Sequence, residues 1–248
     1  MAKLKSLLKI EGTLDDITFY KSEDGYLVRQ KGGVSKNRIK NDPAFARTRE
    51  NNAEFGYSAS AGKTFRQAIT PLLFDAKDAK VTSRVTKVMT QLKNLDTTSV
   101  RGQRQASIGL QTTAGKELLK DFEFNLRATI DSILFTDINL DTATGVITLV
   151  NLNPSQQIAK PTGATHVSFY GAMLNLDLDT GEKSLEISNT VNIPIDTTVQ
   201  TVTLTPAVAT GSGLSFYFLK VAFFQELNGA QYPLNNGAFN ALKLLEVI

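Results

Sequence analysis

Cysteine is absent from the chain, and that one absence removes disulfides, thiolate metal sites and thiol nucleophiles together. Histidine occurs once, as His166. A zinc site built on a histidine cluster and any two-histidine mechanism are therefore excluded, and a Ser-His-Asp arrangement has a single residue to draw on. Tryptophan is missing as well. No run of apolar residues approaches the ~18 needed to cross a bilayer, and the longest cluster, residues 214–224, is interrupted by Lys220. The opening Met1-Ala2-Lys3-Leu4-Lys5-Ser6-Leu7-Leu8-Lys9-Ile10 is too short and too rich in lysine for the apolar region of a secretory signal, and no small-residue cleavage site follows. The expectation is a soluble protein of the cytoplasm or of an assembled particle.

What is present has a globular balance. The 248 residues are 42% hydrophobic and 21% charged, enough for one large domain or two modest ones. Charge is spread unevenly along them. Residues 1–127 carry 23 of the 27 Lys and Arg but 14 of the 24 Asp and Glu, whereas residues 128–248 carry 4 and 10. A basic half is suited to nucleic acid, and a basic half joined to an acidic half is also suited to head-to-tail contact between copies of itself.

The patterning divides in the same way. Residues 7–13, 17–21 and 26–29 read as three short strands, with Asp24-Gly25 as turn chemistry between the last two and Gly32-Gly33 ending the ribbon. Asp42 followed by Pro43 marks a helix start. Residues 44–73 carry Phe45, Phe55, Phe65, Ile69 and Leu72, with a break expected near Gly56 or Gly62 and a stop near Pro71. Val81, Val85, Val88, Met89 and Leu92 form one apolar stripe at helical spacing, and further helical signal covers residues 112–122. From about residue 129 the pattern turns to short strands: 138–140, 146–150, 166–178, 185–187, 191–193, 199–204, 214–224 and 231–232. Such spacing, with Gly, Asp, Asn and Pro between the strands, predicts an antiparallel sandwich. The fold class expected is α+β, with an N-terminal β-ribbon, a helical middle region and a C-terminal antiparallel Ig-like β-sandwich. The boundary is expected near Arg127, giving a basic domain 1–127 and an acidic domain 128–248.

Few constellations suggest chemistry. Gly56-Tyr57-Ser58-Ala59-Ser60-Ala61-Gly62-Lys63-Thr64 ends like a phosphate-binding loop, but five residues separate its glycines where four are needed, and no buried strand precedes it. Asn175-Leu176-Asp177-Leu178-Asp179-Thr180-Gly181 resembles a calcium loop with its glycine one position late. Its alternation with leucine makes Asn175, Asp177 and Asp179 the outward, solvated face of a strand running into a turn. Alternation places His166, Ser168 and Tyr170 opposite the core-like Val167 and Phe169, which reads as a hydrogen-bonded structural histidine. Neither a catalytic residue nor a cofactor or metal is implied. Arg38, Lys40, Arg47, Arg49, Lys63 and Arg66 form the densest basic region, interspersed with Asp42, Glu50 and Glu54, and are the candidate contact to nucleic acid or to another subunit.

The strings Gly12-Thr13-Leu14-Asp15-Asp16-Ile17-Thr18-Phe19-Tyr20-Lys21, Asp24-Gly25-Tyr26-Leu27-Val28-Arg29 and Arg47-Thr48-Arg49-Glu50-Asn51-Asn52-Ala53-Glu54-Phe55 resemble those of an uncharacterised Bacteroidota family, that of flavobacterial hypothetical proteins of similar length. Gly163-Ala164-Thr165-His166-Val167-Ser168-Phe169 and Phe224-Gln225-Glu226-Leu227-Asn228-Gly229 are similar to the same group. The resemblance implies a domain plan of strand ribbon, arginine-containing helix and β-rich end, and it carries no activity or site residues.

These readings favour a non-enzymatic structural protein that assembles with itself into a homo-oligomer larger than a dimer, such as a filament, tube, shell or phage-derived particle. A nucleic-acid-associated protein gripping the phosphate backbone through the basic half is the alternative. An adhesive or glycan-binding sandwich comes third, disfavoured by the lack of tryptophan and of a signal sequence.

Overall fold

A computed structural model describes residues 2–3, 10–30 and 32–248. By contact it divides into two compact units, Met1–Asn52 and Ala53–Ile248.

The first unit holds strands β1 (Ala2–Lys3), β2 (Gly12–Leu14), β3 (Ile17–Ser22) and β4 (Gly25–Gln30), in the order β1-β4-β3-β2, every pair antiparallel. The expected ribbon is thus present, although residues 7–9 of its first strand lie outside the described residues. Two tight turns set the register. Leu14 pairs with Ile17 across Asp15-Asp16, with Asp15 at φ 48°, and Ser22 pairs with Gly25, whose φ of 103° is the left-handed geometry that glycine adopts without strain. Helix α1 (Lys36–Asn41) follows, capped by the Ser35 hydroxyl, which accepts from Arg38 N. Asp42 then caps a short 3-10 turn, Pro43–Phe45, through Ala44 N at 2.9 Å, as its Asp-Pro pair predicts.

Helix α2 (Ala46–Ala68) begins in the first unit and ends in the second. It runs unbroken through Gly56 and Gly62, where the sequence suggested an interruption. The reason lies in its buried stripe, which is Glu54, Ser58, Gly62, Phe65 and Ala68, so small size rather than bulk fits it to its neighbour. A Cβ at Gly62 would stand 3.3 Å from Val85 Cγ1. Phe55, counted among the apolar positions of this helix, is exposed instead.

The rest of the second unit comprises α3 (Thr70–Leu73), α4 (Val81–Lys93), α5 (Ala106–Leu110), α6 (Thr113–Leu119), α7 (Ile130–Ile133), β5 (Asn139–Leu140), β6 (Ile147–Leu152), α8 (Pro154–Gln157), β7 (His166–Leu176), β8 (Lys183–Ile187), β9 (Val191–Pro194), β10 (Gln200–Leu204), β11 (Leu214–Leu227), β12 (Ala230–Pro233) and β13 (Ala241–Val247). The stripe expected at residues 81–92 is α4, with Val81, Val85, Met89 and Leu92 buried. The signal near residue 112 is α6, capped by Thr112 Oγ1, which accepts from Gly115 N at 3.0 Å.

Strands β7 and β11 pair from Leu214 opposite Leu176 to Phe224 opposite His166 and form the spine of a six-stranded antiparallel sheet. Strands β12 and β13 flank β11, while β8 and β9 flank β7. Strands β10, β6 and β5 form a separate three-stranded sheet. Strand alternation gives the large sheet two buried faces. Ala172, Leu174, Leu176, Phe216, Phe218, Leu242 and Leu244 meet Phe65, Ile69, Leu72, Val85, Met89 and Leu92 of the helices. Val167, Phe169, Leu219, Val221 and Phe223 meet Ile147, Leu149, Val202 and Leu204 of the small sheet, together with Ile130, Ile133 and Leu134 around α7. The second unit is therefore mixed helix and antiparallel sheet, in three layers.

Its extent differs from the boundary suggested by composition. Residues 122–126 are built into the core: Phe124 N donates to Leu242 O at 2.9 Å, Leu244 N donates to Phe122 O at 3.0 Å, and the Arg84 guanidinium donates to the Glu123 and Phe124 carbonyls. Hydrogen bonds and apolar contacts, not net charge, hold these segments together, so a change in charge at residue 127 does not separate domains. Counted by unit, residues 1–52 carry 11 basic and 7 acidic side chains and residues 53–248 carry 16 and 17, so much of the apparent polarity along the chain resolves within the second unit.

Candidate functional site

The six basic candidates fall in both units. Within the first, Arg38 Nε bonds Asp42 Oδ2 at 3.1 Å and its guanidinium lies 5.5 Å from the Phe45 ring centroid. Arg49 is half-buried and its Nη1 donates to the Ile39 and Asp42 carbonyls at 2.8 and 2.9 Å. It thereby fastens the 3-10 turn. Lys40 and Arg47 are exposed.

Lys63 and Arg66, in the second unit, lie in a shallow groove whose other members sequence reading did not gather. Two adjoining depressions share Gln67, Thr70 and Phe74; one adds Lys63, Arg66, Leu73 and Lys77, the other Ala68, Pro71, Lys183 and Leu185. Phe74 is 79% exposed, more than any other large hydrophobic side chain among the described residues. Four cations and no carboxylate line the groove. Lys183 Nζ donates to Gln67 O at 3.1 Å, whereas Arg66 Nη1 is buried without a hydrogen-bond partner, and burial lowers the pKa of that guanidinium. Lys183 reaches the groove on β8, far along the chain in the segment that composition marks as acidic. An apolar floor with a cationic rim suits a ligand that offers an apolar group and negative charge together.

A second surface is the first unit's own sheet. Of its described side chains only Leu27 is buried, while Leu14 and Ile17 are exposed.

The other motifs are absorbed by structure. Residues 56–64 are helical throughout, so the loop-like string cradles nothing. Asn175, expected on an outward, solvated face, is buried instead, because its amide satisfies both Gly213 backbone groups, each at 3.0 Å, while Asp177 Oδ1 accepts Asp179 N at 2.8 Å and Thr180 N at 3.3 Å in a turn. Among the described residues, no group of three His, Asp or Glu is disposed to hold a metal ion. His166 Nδ1 meets Thr165 Oγ1 at 3.0 Å and its Nε2 stands 3.5 Å from Glu226 Oε2. The same hydroxyl accepts Glu226 N at 2.8 Å, so this group ties the end of β7 to β11. No helix among the described residues is long and apolar enough to cross a membrane.

One half-buried acid, Glu123, is unusual. Glu123 Oε1 accepts Ile130 N at 2.9 Å, but Oε2 is buried with no partner, and burial pushes the carboxyl up to about 7 despite nearby Lys243, which is itself paired with Asp121 and Asp131 at 3.0 and 2.9 Å. The folded protein thus holds a proton that the unfolded chain releases near 4.5. The stability this confers is complete below the unfolded value and is lost as pH rises through about 7. Glu123→Gln is expected to remove this component, narrowing the difference in melting temperature between pH 5 and pH 8; melts of both proteins across that range check it, and an unchanged difference would refute it.

No protein-family model matches the chain, and no curated protein or solved structure matches it.

Proposed function

We propose that the chain is a non-enzymatic structural protein that assembles with itself, as in a filament, tube, shell or phage-derived particle, and that its N-terminal sheet is a contact between copies. One observation carries this reading: a four-stranded sheet whose described side chains include a single buried one, Leu27. Ordering backbone costs roughly 1–2 kcal/mol per residue, and an isolated sheet needs an apolar face packed on something to offset it. Exposed Leu14 and Ile17, on β2 and its neighbour β3, are the groups such a contact would cover, β2 having no second partner among the described strands. The same reading takes the sheets of residues 128–248 as a sandwich of Ig-like kind, supported by the apolar contact between the two sheets.

Deleting residues 1–33 tests the assignment. The full chain is expected to elute as a species larger than a dimer, with its mass fixed by light scattering. The shortened chain should stay folded by circular dichroism, with the strand signal of residues 1–33 lost, and should form smaller assemblies than the full chain at the same concentration. A full chain that is monomeric at micromolar concentration, or a shortened one that is insoluble, would overturn it. The double variant Leu14→Asp/Ile17→Asp supplies a second route to the same answer without shortening the chain.

A further inference from the structure

We infer that the groove around Phe74 receives Phe135 of a second copy, giving a head-to-tail contact within the second unit; this deepens the self-assembly reading and rests on it. Three observations carry it. The groove joins a large exposed ring to a rim of Lys63, Arg66, Lys77 and Lys183 with no acidic group, so its occupant should offer an apolar side chain beside a free carboxylate.

Phe135 has that form. It is 55% exposed and flanked in the chain by Asp131 and Asp137, both exposed. Its backbone is fixed, because Phe135 N donates to Gln157 O at 2.8 Å and the preceding Leu134 is buried and bridged to Ile158. A ring presented on a held backbone loses little entropy on docking. Asp131 already engages Lys243, which leaves Asp137 as the carboxylate available to the rim.

The third observation is placement. Leu72 and Leu73, beside the groove, pack in the core on the helical face of the large sheet. Ile133 and Leu134, beside Phe135, pack in the core on its other face. One copy presents the ring and the groove on different layers, so the contact is heterologous and each copy keeps one free partner surface, which builds rings or filaments. A single-stranded nucleic acid is the less favoured occupant, since one aromatic ring over a floor of Pro71 and Leu185 gives it a single stacking place.

The absence of native cysteine allows a direct test by disulfide trapping. Lys77→Cys and Asp137→Cys are made in separate full-length chains distinguished by mass, mixed and mildly oxidised. Disulfides require the two Cβ atoms to come within about 4.5 Å, so the mixed dimer is expected to exceed either homodimer by about tenfold or more. A chain carrying both substitutions should give a ladder of multimers. Adding Phe74→Ala to the Lys77→Cys chain should reduce mixed-dimer yield by at least about tenfold. Statistical cross-linking in a protein that still sizes as an oligomer overturns this contact and leaves the N-terminal sheet as the assembly surface. A monomer by sizing overturns both. If instead an unlabelled single-stranded oligonucleotide shields the thiol of the Lys77→Cys chain from alkylation, and does so only while Phe74 is present, the groove belongs to nucleic acid and the inference fails.

Discussion

Glu54→Ala is expected to destabilise the protein by about 3–5 kcal/mol, the cost of breaking an ion-pair cluster whose acid is fully buried and of leaving half-buried Lys93 and Arg104 without it. The carboxylate is fully buried on α2. Oε1 accepts Gly102 N at 2.8 Å and Arg104 Nε at 2.9 Å, while Oε2 takes Arg104 Nη2 at 3.3 Å and the Lys93 ammonium. One side chain therefore fastens α2 to the end of α4 and to the segment leading into α5. Burial pushes this acid up, but the bonds from Lys93, Arg104 and Gly102 prevail and hold it down to about 2. Its contribution is present above the unfolded value of 4.5 and is lost as pH falls toward 2. The buried Asp96, held low by Ser99, Gln105 and Thr98 against the same burial penalty, acts in the same direction. A fall of roughly 10 °C in melting temperature at pH 7 is expected for Glu54→Ala, with a flatter acid limb than the parent. A variant melting within about 2 °C of the parent would show that the bonds to Lys93 and Arg104 are replaced by water at little cost.

Phe65→Ala should cost a similar amount by a different route. The ring is fully buried where α2 meets the large sheet, with centroids 5.4 Å from Phe216, 6.1 Å from Phe124 and 6.3 Å from Phe218. Removing it deletes apolar burial and leaves a void between rigid layers, for which about 3–5 kcal/mol is typical. Phe55→Ala on the same helix is the control, because Phe55 is exposed and a surface substitution changes stability by only about 0.5 kcal/mol or less. Chemical denaturation of the two variants gives the comparison directly. Equal losses would mean that Phe65 does not centre the helix–sheet contact.

Periodicity exposed those elements that bury one face. Helix α4 was legible because Val81, Val85, Met89 and Leu92 repeat at helical spacing, and β3 and β4 because turn chemistry at Asp24-Gly25 separates two runs of strand formers. Strand β13 escaped notice for the opposite reason. Its Ala-Leu-Lys-Leu-Leu-Glu-Val is buried on both faces and shows no alternation, so only pairing with β11 reveals a strand.

Charge was the least legible property. Glu54 stands among arginines and reads as solvated surface, yet its partners Lys93 and Arg104 lie 39 and 50 residues away and carry it into the core. Lys220 and Lys243 count toward a sparse basic complement in the second half, but both are buried, bonded to Asp75 and to Asp121 with Asp131. Formal charge depends on the residues present; whether it faces water depends on what the fold sets beside it.

The sequence by itself determined the exclusion of thiol and histidine-cluster chemistry, the mixed helix and strand content, and the ribbon, because each follows from residue type or from spacing within one element. Tertiary structure alone decided that residues 53–248 form one unit, that Lys183 joins Lys63 and Arg66 around Phe74, and that the N-terminal sheet fully buries only Leu27 among its described side chains. Those outcomes depend on contacts between residues far apart in the chain, whose energies come from burial and pairing in space, and local pattern carries no record of which distant partner will supply them.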